Sequence, residues 1–94
     1  MSEVQTTDNA EQQRYEARVD GELAGFAAYR VQGDRVVFTH TEVDDAYEGQ
    51  GVGSALARSA LDDVRATGRN AVPLCPFIRD WIDKHPDYAD LVAA

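Results

Sequence analysis

The chain has 94 residues, 44% of them hydrophobic and 28% charged, with 9 basic and 17 acidic side chains and a formal net charge of −8. That length supports one domain around one core, and no apolar run approaches the ~20 residues of a membrane-spanning helix. The negative field argues against DNA, RNA and anionic membranes as partners, because binding there relies on Lys and Arg displacing counterions, and it weakly favours a cationic substrate.

In chain order, residues 1–13 show no apolar periodicity and read as a flexible tail, leaving 14–94 as the domain. From Arg14 onward, Tyr15, Ala17 and Val19 alternate with Glu16 and Arg18, the period of a half-buried strand. Asp20-Gly21 predicts a turn and residues 22–31 the returning strand, with Gly25 marking a bulge or a close backbone approach. Gln32-Gly33-Asp34 is a second turn. Residues 35–43, rich in β-branched and aromatic side chains, form a third strand and complete an antiparallel meander.

The period then changes. Val52, Leu56, Ala57, Ala60, Leu61 and Val64 fall on one face of a helix, and Gly68 suits the position just past its end. Residues 70–74 form a short strand, expected to lie parallel to the third because a helix crosses between them. Pro76 opens a last helix whose apolar stripe is Phe77, Ile78, Trp81 and Ile82. His85-Pro86 stops it, and residues 88–94 add one loose turn. The fold class is α+β: a three-stranded antiparallel meander plus a parallel strand, with two helices.

The segment with chemical content lies between the third strand and the first helix, where Gly49, Gly51 and Gly53 occupy alternate positions. Glycine lets the backbone turn sharply and lets a ligand come close. The first amides of the following helix lack internal partners and carry the positive end of its dipole, a place for a phosphate. No Lys-Ser/Thr follows the glycines, so this is no P-loop. The G-x-G-x-G spacing after a meander is also wrong for a dinucleotide fingerprint. A plain tight-turning loop stays open as an alternative.

Glu48-x-x-Gly51-x-Gly53, between a strand ending in Val43 and a helix, resembles the acetyl-CoA loop of the Gcn5-related N-acetyltransferases (GNAT), written Gln/Arg-x-x-Gly-x-Gly/Ala. His40-Thr41-Glu42-Val43 and the run from Leu74 through Cys75-Pro76-Phe77 to Ile82 resemble the short single-domain, YjdJ-type branch of that family. Glu48 departs from the pattern, since a carboxylate repels a diphosphate unless it points away. The resemblance covers roughly Arg14 to Tyr88 and implies a minimal GNAT-like fold. It implies pyrophosphate on the amides of Gln50, Gly51, Val52, Gly53 and Ser54, pantetheine along Glu42 and Val43, and the acetyl group near Cys75. Gly49 and Phe77 complete the implied cofactor-binding set. Acetyl-CoA is then the co-substrate, an unidentified amine the acceptor, and no metal is involved.

For the chemistry, His40 and Glu42 share a strand face roughly 6.6 Å apart along the chain and suit proton removal from an amine. The alternative is a polar pair that faces solvent or lines a turn. Cys75 stands directly before a proline-started helix, whose N-terminus favours thiolate. It reads either as a participant in acetyl transfer or as a small buried hydrophobe. The leading expectation is a small acetyl-CoA-dependent N-acetyltransferase. The alternatives are a non-catalytic acyl-CoA-binding module and an interaction domain using its free sheet face. One cysteine permits no internal disulfide, and the polar start lacks the form of a secretory signal, so a cytoplasmic monomer or homodimer is expected.

Overall fold

The computed structural model describes residues 3–93, so the expectations for residues 1, 2 and 94 lie outside it. Five strands form one sheet in the order β1 (Val4–Asn9), β2 (Arg14–Val19), β3 (Glu22–Gln32), β4 (Arg35–Val43) and β5 (Asn70–Pro73). Neighbours from β1 to β4 pair antiparallel, and β5 lies parallel to β4. The crossover between β4 and β5 is helix α1 (Val52–Ala66), and β5 leads into α2 (Pro76–Lys84). A 3-10 turn over Pro86–Leu91 buries Leu91, and Ala93 donates to the Ala71 carbonyl at 2.9 Å along the outer edge of β5. Among the described residues no helix is long and apolar enough to cross a membrane.

The flexible tail expected over residues 1–13 is corrected at Val4–Asn9, which forms β1 and pairs from Val4 with Val19 to Asn9 with Arg14. The meander therefore has four strands. Of the helix-side positions of β1 only Val4 is apolar and packs against the core, and the other two are polar: Thr6 Oγ1 donates to Ser59 Oγ at 2.8 Å, and Asp8 Oδ1 accepts from Tyr29 Oη at 2.6 Å. A strand whose inward side chains hydrogen-bond carries no apolar period, which is why the sequence pattern misses it.

Both helices cover the same sheet face. Tyr15, Ala17, Tyr29 and Phe38 from the strands share one buried cluster with Leu56 and Leu61 of α1 and Ile78 and Trp81 of α2. Burying one such leucine contributes about 1.5–3 kcal/mol. Helix α1 ends in a Schellman arrangement: Gly68, at φ 71°, donates to the Arg65 carbonyl and Arg69 to the Val64 carbonyl. Helix α2 starts with Pro76 in its first turn and stops at His85 before Pro86.

The other face carries no helix and presents Arg14, Glu16, Phe26, Ala28, His40 and Glu42. Glu16 is nonetheless only 6% exposed there. Its carboxylate accepts from Arg14 Nε at 2.7 Å, Asn9 Nδ2 at 3.3 Å and Arg18 Nη2 at 3.5 Å, which satisfies both oxygens. Two register shifts shape the sheet. Ala24 is the extra residue of β3 against β2, and Thr39 the extra residue of β4 against β3. Gly25, next to the first bulge, lies close against β4: a Cβ there would sit 2.6 Å from the Glu42 carbonyl oxygen.

Candidate active site

Strand β4 is hydrogen-bonded on both edges only through its first half. Its parallel register with β5 runs from Arg35 opposite Asn70 to Phe38 opposite Pro73. The Cys75 amide then donates to the Phe38 carbonyl at 2.9 Å, and the chain turns into α2. From the Thr39 bulge to Val43, β4 keeps β3 as its partner and has lost β5. A wedge opens there between the end of β4 and the start of α2. Beside it stand the exposed apolar side chains of Leu74, at 63%, and Phe77, at 41%. An unpaired strand edge is a template for any extended, amide-bearing segment.

The same strand leads into the glycine-rich turn. Asp44 is tied down at both ends: its amide donates to the Ala24 carbonyl at 2.8 Å, and its Oδ1 accepts from the Ala46 amide at 2.9 Å. That side chain caps a short 3-10 turn over Asp45–Tyr47. Gly49 and Gly51 then take φ 80° and 78°, the left-handed region that favours glycine. Gly51 is the N-cap of α1, its carbonyl accepts from the Ala55 amide at 2.9 Å, and it offers no side-chain cap. Among the described residues, no protein group accepts from the amides of Gly51, Val52, Gly53 or Ser54, and no acidic side chain stands in the first turn of α1. The Gln50 amide is different. It donates to the Tyr47 carbonyl at 3.3 Å, so the set of unoccupied amides begins one residue later than the sequence implies.

Gly53 is a glycine for another reason. A Cβ there would lie 2.6 Å from Phe77 Cζ, whereas nothing stands within 4 Å of a Cβ built on Gly51. The Phe77 ring therefore rests on the first turn of α1 and joins the loop to α2. Ser54 makes a second tie, its Oγ accepting from Trp81 Nε1 at 2.9 Å.

The residues suited to proton and acyl chemistry divide between the two faces. His40 and Glu42 lie on the bare face, each side chain 61% exposed, with Nε2 and Oε1 3.7 Å apart. Cys75 is buried on the helix side, and its Sγ donates to Thr41 Oγ1 at 3.3 Å. The structure thus brings His40 to Glu42 and Cys75 to Thr41, with the free edge of β4 between the two pairs. On the bare face, Leu23, Phe26, Glu42 and Asp44 wall a cavity of about 270 Å³. Among the described residues no group of three or more His, Cys, Asp or Glu side chains is placed to hold a metal ion.

A family model described as GCN5-related N-acetyl-transferase matches residues 14–91. The chain belongs to the GCN5-related N-acetyltransferase family. Its relatives include protein NATD1 of Gallus gallus, 31% identical over 85 residues that cover 88% of this chain and 77% of that protein. NATD1 of Mus musculus is 39% identical over 59 residues, covering 62% of this chain and 54% of that protein. The match therefore spans about half the length of the mammalian relative. Among solved structures, a GCN5-like protein of Staphylococcus aureus superposes with a TM-score of 0.71 at 21% identity, covering 98% of this chain and 88% of that one. The ribosomal-protein-S18-alanine N-acetyltransferase of Escherichia coli gives 0.60 at 19% identity, covering 74% and 63%. At these identities the structural likenesses are likenesses of fold, and they bear out the GNAT-like architecture of antiparallel strands, one parallel pair and flanking helices.

Within this family Glu48 is the residue that departs from the loop pattern. It is exposed and ends the 3-10 turn, its amide donating to the Asp45 carbonyl at 3.3 Å, outside the first turn of α1. Sequence reasoning passed over Thr41, Phe26 and Asp44. No local signal marks Thr41: plain alternation sets it opposite to Phe38 as well as to His40 and Glu42, and the bulge at Thr39 is what brings it onto the side that Phe38 occupies and that the helices cover.

Proposed function

We propose that this chain is a small acetyl-CoA-dependent N-acetyltransferase. The observation that carries the reading is the meeting of four unoccupied amides, Gly51 to Ser54, with a stretch of β4 that has lost its neighbour strand. The amides and the dipole of a 15-residue helix suit a diphosphate. The β4 edge suits the two amides of a pantetheine arm, taken up as a short added strand. Phe77 and Leu74 offer it apolar surface. Placement in the short, single-domain YjdJ-type branch rests on Cys75-Pro76-Phe77 at the start of α2.

In this reading Glu42, steadied by His40, takes a proton from the acceptor ammonium on the bare face. The free amine attacks the thioester carbonyl at the β4 edge, the C–N bond forms, the C–S bond breaks, and CoA leaves as the thiol after gaining a proton. Cys75 and Thr41 stand on the far side of that edge, where the thiol can contact the departing sulfur.

One observation favours a second reading, a non-catalytic acyl-CoA-binding module: Cys75 and the His40–Glu42 pair sit on opposite faces. Two measurements separate the readings. Calorimetric titration with acetyl-CoA is expected to show saturable binding in the micromolar range, and thiol release with a panel of primary amines is expected to exceed the rate without protein. Binding without amine-dependent release would leave the module. Absence of binding would remove both.

A further inference from the structure

Trp81 is the chain's one tryptophan, and it lies buried on α2. Three side chains hold its ring. His85 stacks on it with centroids 3.8 Å apart and planes at 14°, Tyr88 leans against it at 5.1 Å, and the Arg58 guanidinium lies 5.5 Å from its centroid. These contacts fix the indole plane, and in that plane Nε1 donates to Ser54 Oγ at 2.9 Å. An indole N–H can only donate. The Ser54 oxygen therefore accepts, and the hydroxyl proton is left for a further acceptor. A helical serine ordinarily gives that proton to a carbonyl three or four residues back. Here the Gly51 carbonyl accepts from the Ala55 amide, and among the described residues the Ser54 hydroxyl donates to no protein group. Ser54 is half-buried in the first turn of α1, and helical side chains lean toward the N-terminus. The unspent proton thus belongs to the same end of α1 as the four unoccupied amides of Gly51 to Ser54.

We infer that Trp81 is a positioning residue of the proposed cofactor site: its N–H fixes the polarity of the Ser54 hydroxyl, which then offers its proton to the diphosphate as a further donor beside the amides. This rests on the acetyltransferase reading and gives its cofactor site a residue on the second helix. Without the indole N–H the hydroxyl turns to the carbonyls of its own helix, and the donor is withdrawn from the ligand.

The test titrates the full chain with acetyl-CoA by calorimetry, as wild type, Ser54→Ala, Trp81→Phe and the double variant. Ser54→Ala removes one hydrogen bond to a charged group at a half-buried position, and affinity should fall about tenfold. Trp81→Phe keeps a ring in the core and removes the N–H, and the fall should be about three- to fivefold. The double variant should fall no further than Ser54→Ala, because the indole acts through the hydroxyl alone. A fall equal to the product of the two, about 30-fold or more, would overturn the inference and make Trp81 a packing residue. So would wild-type affinity in either single variant. A second readout leaves Trp81 in place. The indole N–H proton resonance should shift downfield when the wild type is saturated with acetyl-CoA, because a hydroxyl that donates to an anion is a stronger acceptor, and Ser54→Ala should lose that shift. An unmoved resonance in the saturated wild type, or an equal shift in Ser54→Ala, would overturn the inference even where Trp81→Phe failed to fold. Wild-type affinity in Ser54→Ala would leave the acetyltransferase reading standing, whereas a wild type that takes up no acetyl-CoA would remove that reading and this inference together.

Discussion

Strands β1 to β3 meet one another and α1 through polar contacts that are closed on both sides, whereas the end of β4 and the start of α1 leave donors and apolar side chains open. In the first region Tyr15 donates to Asp63 at 2.6 Å, Tyr29 to Asp8 at 2.6 Å and Thr6 to Ser59 at 2.8 Å. Among the described residues no buried side-chain nitrogen or oxygen lacks a partner. In the second region four backbone amides have no acceptor, a strand edge has no partner, and Leu74 and Phe77 are exposed. Stability and binding are thus assigned to different parts of a 94-residue chain. The comparison predicts that changes in the open region alter binding and turnover more than stability, and that changes in the closed region do the reverse.

The largest effect is expected at Gly51. Valine there places a side chain in the open space above the first turn of α1 and forces a β-branched residue to φ 78°. Acetyl-CoA affinity should fall at least about 100-fold by calorimetry. The strain costs roughly 1–2 kcal/mol, which lowers the melting temperature yet leaves a folded domain. Wild-type affinity in the folded variant would end the separation of roles, because the open amides would then have no ligand.

Next in size are the two pairs on either side of the β4 edge. Glu42→Gln should lower kcat about 100-fold and leave acetyl-CoA affinity within about twofold. Cys75→Ser should keep binding and lower turnover about tenfold, the smaller effect because in the proposed reaction the thiol would lie on the leaving-group side. Steady-state kinetics alongside titration checks both. Unchanged turnover in Cys75→Ser makes the cysteine a packing residue.

Gly53→Ala sharpens the boundary between the regions. Its Cβ would meet the Phe77 ring at 2.6 Å, and no positive φ contributes strain. Overpacking of this kind costs about 1–3 kcal/mol; an exposed ring that can swing aside sets the expectation near the lower limit. The cost should vanish in the Gly53→Ala, Phe77→Ala double variant, read by chemical denaturation as a double-mutant cycle. Additive effects would show that Phe77 does not hold the loop to α2.

Much of this was legible beforehand, for identifiable reasons. The apolar stripe from Val52 to Val64, the turn at Asp20-Gly21 and the stop at His85-Pro86 are local, so spacing alone places α1, the hairpin and the end of α2. The alternate spacing of Gly49, Gly51 and Gly53 located the glycine-rich turn, and the family resemblance read it as one cofactor-binding loop. The structure gives Gly51 a left-handed cap and Gly53 a contact with a ring 24 positions away in sequence. Strand β1 was hidden because Thr6 and Asp8 face inward through hydrogen bonds. Thr41 was hidden because the bulge at Thr39 sets its face and its partner, Cys75, is distant in sequence, whereas Asp44, whose side chain caps the amide of Ala46 two positions on, carried a local turn signal that was passed over.

The smallest effects, and the ones that test the closed region, come from pH. Burial pushes the Glu16 carboxyl up, but the hydrogen bonds from Arg14 and Asn9 and the charges of Arg14 and Arg18 outweigh it, so its pKa lies below the ordinary value. A lowered folded pKa contributes stability that is fully present above the unfolded value of about 4.3. That contribution is lost as pH falls through this value toward the folded one. At the alkaline end the sign reverses. Burial, the hydrogen bond to Asp8 and the Asp8 charge push Tyr29 up to about 12, and burial with the Asp63 hydrogen bond pushes Tyr15 higher still. Their contribution is complete below the unfolded tyrosine value of about 10 and is lost as pH rises from there toward the folded values. Denaturant unfolding followed from pH 3 to 11 should therefore show a plateau bounded near 4 and near 10. Glu16→Gln should lower the plateau and flatten its acid side, and Tyr29→Phe should flatten the alkaline side. Neither variant should change acetyl-CoA affinity at neutral pH by more than about twofold. A larger loss of affinity in either would mean that the closed region also shapes the ligand site, and the division between the two regions would fail.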